Sequence, residues 1–230
     1  MKTNKYQVAT LRLKKILFIY PNTANSVVIP SSITILAGIA RDYGWGRAYF
    51  DAWSYEKKHD SMQDRVISGE FKPVENPTNV TLKPLNKLTL DLQNIIDTFK
   101  PSIIAISCMS LEYEFLLTFF PSIRIPEETT VLIGGVHPTL EGEELARSCL
   151  FDLVCIGEGE ETFAEILTQF ENGHHLNNIR NTYFVDKKER VFIKNPRRRL
   201  IDESELWKIA PDYSFFDKGY FIYPFDGKLY

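Results

Sequence analysis

The residues of this chain best suited to chemistry sit just after its short apolar runs. Pro21 and Asn22 follow the first run, Ser107-Cys108-Met109-Ser110 a later one, then Gly134-Gly135-Val136-His137-Pro138-Thr139, then Gly157-Glu158-Gly159-Glu160. These are small, hydroxylated or backbone-exposing types. Adjacent glycines let a ligand lie against the main chain where a Cβ would collide, and they also make tight turns out of a strand. His137 is either a metal ligand, with Glu158 and Glu160 supplying oxygens, or a histidine held by local hydrogen bonds, which is the simpler reading. Glu158 and Glu160 fit a general acid–base pair or the N-terminus of a helix, and the second is favoured because carboxylates suit that end of the helix dipole. His174-His175 lies at a helix end, where the same dipole accounts for it.

Several chemistries are excluded or disfavoured. The first strand is followed by PNTANS, not GxGxxG, and GxxxxGK[ST] is absent, so neither a dinucleotide fingerprint nor a P-loop is present. The acidic GEGE loop is a poor phosphate cradle. The three cysteines, Cys108, Cys149 and Cys155, form neither CxxC nor a zinc spacing. Cys108 and Cys155 read as small buried hydrophobes in a reducing compartment. A nucleophilic cysteine would need a positioned base, and neither has one beside it in sequence.

The elements that must position these loops follow from apolar periodicity. Ile16–Tyr20, Arg47–Asp51, Ser102–Ser107, Thr129–Ile133 and Leu153–Ile156 are short runs that predict buried strands. Helices are expected over Ile33–Tyr43 with Ser31 or Ser32 as N-cap, Asn86–Phe99 stopped by Pro101, Leu111–Phe120, Glu141–Cys149 and Glu161–Phe170. This alternation predicts a doubly wound α/β domain with a five-stranded parallel sheet, whose ligand lies beyond the carboxyl ends of the strands. Residues 52–85 form an insertion rich in charge and proline. After about residue 175 the alternation stops. Asn181–Val185 and Val191–Lys194 read as a hairpin, Arg199–Ile209 as a short helix, and the rest as a linker ending in the aromatic series Tyr213, Phe215, Phe216, Tyr220, Phe221, Tyr223 and Phe225. The expected division is therefore residues 1–175 and an appendage, 176–230.

Composition sets the class. Of 230 residues, 44% are hydrophobic and 25% charged, ordinary for a globular chain, and a net charge of −3 gives no general attraction to nucleic acid or anionic membrane. The basic run Pro196-Arg197-Arg198-Arg199 reads as a solvated turn. No stretch approaches the ~20 apolar residues of a membrane span, and the polar N-terminus lacks a signal-peptide core, so a cytoplasmic location is expected.

Taken in order, ILFIYPN, the helix ITILAGIARDYG, FD, KPSIIAISCMS, VLIGGVHPTLEGEE, DLVCIGEGEETFAEIL and LIDESELWKIAPDYSFFD resemble the N-terminal cobalamin-binding domain of radical S-adenosylmethionine enzymes, over about residues 14–215. The resemblance implies a flavodoxin-like sheet that holds cobalamin over its strand ends. Ser107 and Ser110 would be polar contacts to the nucleotide tail, Gly134 and Gly135 the glycines it packs against, and Gly157, Glu158 and Gly159 the turn beside it. Pro21 and Asn22 would underlie the corrin. Cys108 and His137, in the same loops, complete the set of candidate cofactor-binding residues, and none is assigned a catalytic role. The DxHxxG motif, whose histidine ligates cobalt in related domains, is absent, and so is CxxxCxxC. S-adenosylmethionine and a [4Fe-4S] cluster would therefore belong to a barrel domain joined to this one in cis or in trans. The implied role is a cobalamin-binding module without catalysis of its own, and its metal-binding character is that of the cofactor's cobalt. A cofactor-free scaffold that docks on a barrel or partner through the aromatic tail is the alternative.

Overall fold

A computed structural model describes residues 14–23, 29–56, 82–206, 208–216, 224–225 and 228–229. Most of the 52–85 insertion and Tyr220, Phe221 and Tyr223 of the aromatic tail lie outside these residues.

The apolar runs form the expected strands: β1 (Lys15–Tyr20), β2 (Gly46–Asp51), β3 (Ile103–Ser107), β4 (Thr130–Gly134) and β5 (Leu153–Cys155). All four pairings among them are parallel. The hairpin strands β6 (Thr182–Asp186) and β7 (Val191–Lys194) do not stand apart. They add antiparallel to β5 and complete a seven-stranded sheet of order β2-β1-β3-β4-β5-β6-β7. The parallel part has the flavodoxin-like order 2-1-3-4-5, with its switch point between β1 and β3.

Helices cover both faces. On one lie α1 (Ser31–Asp42) and α5 (Glu160–Glu171), which share a core with Ile16, Phe18, Ile103, Ala105, Leu132 and Leu153. On the other lie α2 (Asn86–Phe99), α3 (Ser110–Leu117) and α4 (Val136–Ser148), packed on Leu17, Ile19, Ile104, Ile106, Val131, Ile133 and Val154. Successive strand residues therefore alternate between two buried faces, which is why these runs are apolar throughout.

Local chemistry explains several element ends. Helix α2 stops at Lys100, which is left-handed (φ 53°), just before Pro101. Asp51 takes the Trp53 N–H at 2.9 Å and the Tyr49 hydroxyl at 3.0 Å, so the FD motif caps the short turn Ala52–Ser54. Helix α4 begins at Val136 and not at Glu141: Gly135 is its N-cap, Val136-His137-Pro138-Thr139 forms its first turn, and the chain kinks at Glu141 (φ −114°, ψ 26°). Pro138 is tolerated there because a first-turn N–H has no intrahelical partner to lose.

Beyond β7 the chain is strapped across the α1–α5 face. Arg198 pairs with Glu165 and Glu161 of α5. Asp212 pairs with Arg47 at 2.8 Å, and its N–H donates to the Thr34 carbonyl. The Ala210 carbonyl runs so close to Gly38 that a Cβ there would lie 2.1 Å from its oxygen. Phe215 meets Tyr49 edge-on and Phe216 packs tilted against it, while Phe215 stacks on Phe18, so this part of the aromatic series is folded back on the domain. Among the described residues of the expected Arg199–Ile209 segment, helical structure is confined to one turn, Glu203–Leu206.

Candidate functional site

The α1–α5 face is not filled near the strand ends. Ala105 and Ser107 of β3 and Gly134 of β4 alternate onto that face and are too small to meet the helices above. The result is a cleft with a volume of about 130 Å³, floored by Phe18, Ala105 and Leu132 and walled by Ile33, Leu36 and Phe163. Its mouth carries Ser32, Ser107, Gly134, Gly135, Cys155, Gly157, Gly159 and Glu160. Liquid water takes roughly 30 Å³ per molecule, so there is room for several, yet the floor offers them few polar partners. The cleft suits an apolar group reached from the strand ends. Burial raises the Cys155 thiol to about 12, so this cysteine lines the cleft as a neutral group and not as a nucleophile.

The glycines divide by cause. Gly135 is needed by the fold: φ is +112°, and a Cβ would lie 2.6 Å from the Cys108 carbonyl oxygen. Gly157 has φ +72° and makes the turn into α5. Gly134 and Gly159 have no such constraint. A Cβ on Gly134 would meet Cys155 at an ordinary 3.6 Å, and one on Gly159 would meet Leu36 at 3.6 Å. What a side chain at these two positions would fill is the cleft itself. This is the feature that fits a bound group better than packing does.

Of the candidate residues, Ser107, Gly134, Gly135, Gly157 and Gly159 are brought together at the cleft. The others are placed around it or turned away. Cys108 projects to the opposite face, is 2% exposed, and has its thiol raised to about 12 by burial and by the nearby Glu112. Ser110 and His137 meet each other, Oγ to Nδ1 at 3.2 Å, and the imidazole stacks on Tyr113 with ring centres 4.3 Å apart. The His137 Nε2 is buried without a hydrogen-bond partner among the described residues. Glu158 does not cap α5: its Oε2 accepts the Ile201 N–H at 2.6 Å and ties the cleft loop to the C-terminal strap. Gly159 holds the N-cap position, and Glu160 and Glu161 supply the first-turn acidity. Pro21 and Asn22 are buried at the end of β1. His137, Glu158 and Glu160 therefore do not assemble, and among the described residues no cluster of three or more His, Cys, Asp or Glu could hold a metal ion.

Ser32, Ile33, Leu36, Phe163 and Glu112 were not singled out as site residues by sequence. Ser32, Ile33 and Leu36 come from the first turns of α1, and Phe163 from α5. Their signal was helical spacing, i and i+4 for Ser32 and Leu36, which becomes informative only once the helix face is known. Thr139 joins two loops: its hydroxyl donates to the Gly135 carbonyl at 2.7 Å and accepts the Gly157 N–H at 2.9 Å. Glu112 is 3% exposed; its Oε2 accepts the Met109 N–H at 2.7 Å, and it hydrogen-bonds the Tyr20 hydroxyl. It thereby fixes the loop that carries Ser107. Burial raises its carboxyl above the ordinary range, against the opposing pull of Tyr20 and the Met109 N–H.

With this geometry in hand, the comparison with known proteins is decisive for the family. The B12 binding domain family matches residues 19–167, which contain every lining residue of the cleft except Phe18. The chain belongs to the B12-binding domain family. An uncharacterized methyltransferase from Pyrococcus horikoshii is 33% identical over 114 residues, covering 48% of this chain and 24% of that relative. Among solved structures, the radical S-adenosylmethionine methyltransferase TsrM from Kitasatospora setae, with tryptophan and a SAM analogue bound, superposes with a TM-score of 0.56 at 13% identity, covering 80% of this chain and 30% of TsrM. OxsB, a cobalamin-dependent S-adenosylmethionine radical enzyme with aqua-cobalamin bound, gives 0.51 at 15% identity, covering 83% of this chain and 23% of OxsB. These likenesses establish the fold. The chain spans about a quarter of the length of its curated relative. Among the described residues no helix is long and apolar enough to cross a membrane.

Proposed function

We propose that this B12-binding domain serves as the cobalamin-holding module of a radical S-adenosylmethionine enzyme, the chemistry of the reaction residing in a second domain. The observation that carries the reading is the hollow α1–α5 face, where Gly134 and Gly159 keep open a space that neither backbone strain nor neighbouring atoms require to be open. In this reading the nucleotide tail enters between α1 and α5, its flat base against Phe18, Ala105 and Leu132. Ser107 offers a hydroxyl at the mouth. Gly134, Gly135, Gly157 and Gly159 let the tail lie against main chain. Pro21 and Asn22, with Ser110 and His137 on the neighbouring loops, form the bed under the corrin. Cys108 faces the packed side and is left out.

Cobalamin, when bound, supplies a cobalt centre that carries a methyl group or assists a radical step. The protein's part is to bind, orient and expose it. Thr139 and Glu112 hold the loops at fixed spacing, and Glu158 links the loop beside the tail to the strap leading out of the domain. The named relatives support the assignment of parent class: TsrM and OxsB are radical S-adenosylmethionine proteins, and the domain matched here makes up less than a third of each.

Adding hydroxocobalamin to the pure chain and separating bound from free by ultrafiltration tests the reading. Stoichiometric retention with a changed visible spectrum is expected. A chain that retains no corrinoid at high micromolar concentration would remove the cofactor from this account while leaving the fold intact.

A further inference from the structure

The two helices that wall the cleft are tied together in two ways. At their far ends they meet directly. The Tyr43 hydroxyl, at the end of α1, lies 3.0 Å from the Thr168 hydroxyl of α5, and Trp45, just after α1, meets Phe170 of α5 edge-on with ring centres 5.3 Å apart. The second tie is the strap that follows β7. On the α5 side Arg198 pairs with Glu161 and Glu165, and the Ile201 N–H donates to Glu158, which stands between the mouth glycines Gly157 and Gly159. On the α1 side the Ala210 carbonyl accepts from Arg41 at 3.3 Å and runs against Gly38, and the Asp212 N–H reaches the Thr34 carbonyl at 2.9 Å. Phe215 then stacks on Phe18, part of the cleft floor. Anchors on a single element would suffice to pack this segment. These span both walls and the floor of one cleft, while Arg198, Gly38 and Asp212 themselves lie outside its lining.

We propose that the strap is a clasp whose closure and the occupancy of the cleft favour each other. With the strap closed, α1 and α5 are held at the spacing the bound group uses, so little ordering of the walls opposes binding. Coupling of this kind is reciprocal: the factor by which the closed strap raises affinity is the factor by which the bound group protects the strap from opening. Glu158 is the joint, because it belongs to the mouth loop and holds the strap at Ile201. The strap thereby carries the state of the cleft to the C-terminal part of the chain. The inference rests on the cobalamin reading above and adds to it a link between the cofactor and residues that do not touch the cleft.

The test uses the full 230-residue chain, with hydroxocobalamin as the probe and two readouts. In the wild type, saturating cofactor is expected to slow hydrogen exchange of the Ile201 and Asp212 amides about fivefold or more, while the β6–β7 turn, Lys187–Arg190, exchanges as before. The second readout is Gly38→Ala. Its Cβ collides with the Ala210 carbonyl and touches no lining residue of the cleft, and alanine suits the interior of α1 better than glycine does. This wedge under the strap is expected to weaken hydroxocobalamin about fivefold or more and to abolish the protection at Asp212. A wild-type chain that retains the cofactor with unchanged strap exchange, or a Gly38→Ala variant that binds as well as wild type, would overturn the clasp and leave the cobalamin reading standing. A wild-type chain that retains no cofactor would overturn both.

Discussion

The same two strands are built differently on their two sides. Toward α2, α3 and α4, β3 and β4 present Ile104, Ile106, Val131 and Ile133, none more than 3% exposed, and the helices close on them. Toward α1 and α5 they present Ala105, Ser107 and Gly134, and the helices cannot close. One face is packed to stabilise the domain, and the other is left hollow near the strand ends. The lesson concerns size, because a pattern of apolar and polar residues treats Ala105 and Ile104 alike, whereas their volumes assign them different tasks.

The contrast can be broken from either side. The largest effect is expected on the packed face. Ile104→Ala should cost about 2–5 kcal/mol of stability in urea unfolding, through lost burial and the cavity left behind, while the folded fraction keeps its affinity for cobalamin. Gly135→Ala comes next. It places a Cβ 2.6 Å from the Cys108 carbonyl oxygen at φ +112°, and melting should report a loss of about 1–3 kcal/mol. On the hollow face the sign of the result differs. Gly134→Val adds bulk where a Cβ has room, so stability should change by less than about 1 kcal/mol, while cobalamin affinity should fall at least about tenfold, or ~1.4 kcal/mol. A Gly134→Val variant that binds as well as wild type would show that the hollow does not receive the tail.

The smallest effect concerns pH. Glu112 has a folded carboxyl raised above its unfolded range by burial. The folded state therefore holds its proton more tightly, and the stabilisation tied to that proton is complete at low pH and lost as pH rises through the folded value. Glu112→Gln keeps an acceptor for the Met109 N–H and removes the titration. The stability of the variant relative to wild type should be greatest at neutral pH and decline as pH falls into the ordinary carboxylate range. A relative stability independent of pH would show that Glu112 does not carry this burial.

Much of this was legible in the sequence, for identifiable reasons. Strands buried on both faces are continuous apolar runs, so all five parallel strands stand out, and their glycine- and serine-rich ends mark the working edge. Gly134, Gly135, Gly157, Gly159 and Ser107 could be found that way. What the sequence concealed depends on direction in space. Cys108 follows Ser107 by one residue, and strand alternation sends it to the other face. Glu158 resembles a cap until the strap supplies the Ile201 N–H as its partner. Ser32 resembles a cap until β3, far along the chain, places Ser107 against it. The GGVHPT segment hides a helix start behind two glycines and a proline that elsewhere signal a loop.

The central claim, that the hollow face receives the cofactor's tail, is tested most directly by crystals of the chain grown with cobalamin and measured at the cobalt absorption edge. The account predicts one anomalous peak beyond the carboxyl ends of β1, β3 and β4, with continuous tail density entering between α1 and α5 beside Gly134. Cobalt at any other surface, or a corrin at the strand ends with its tail outside this cleft, would contradict it.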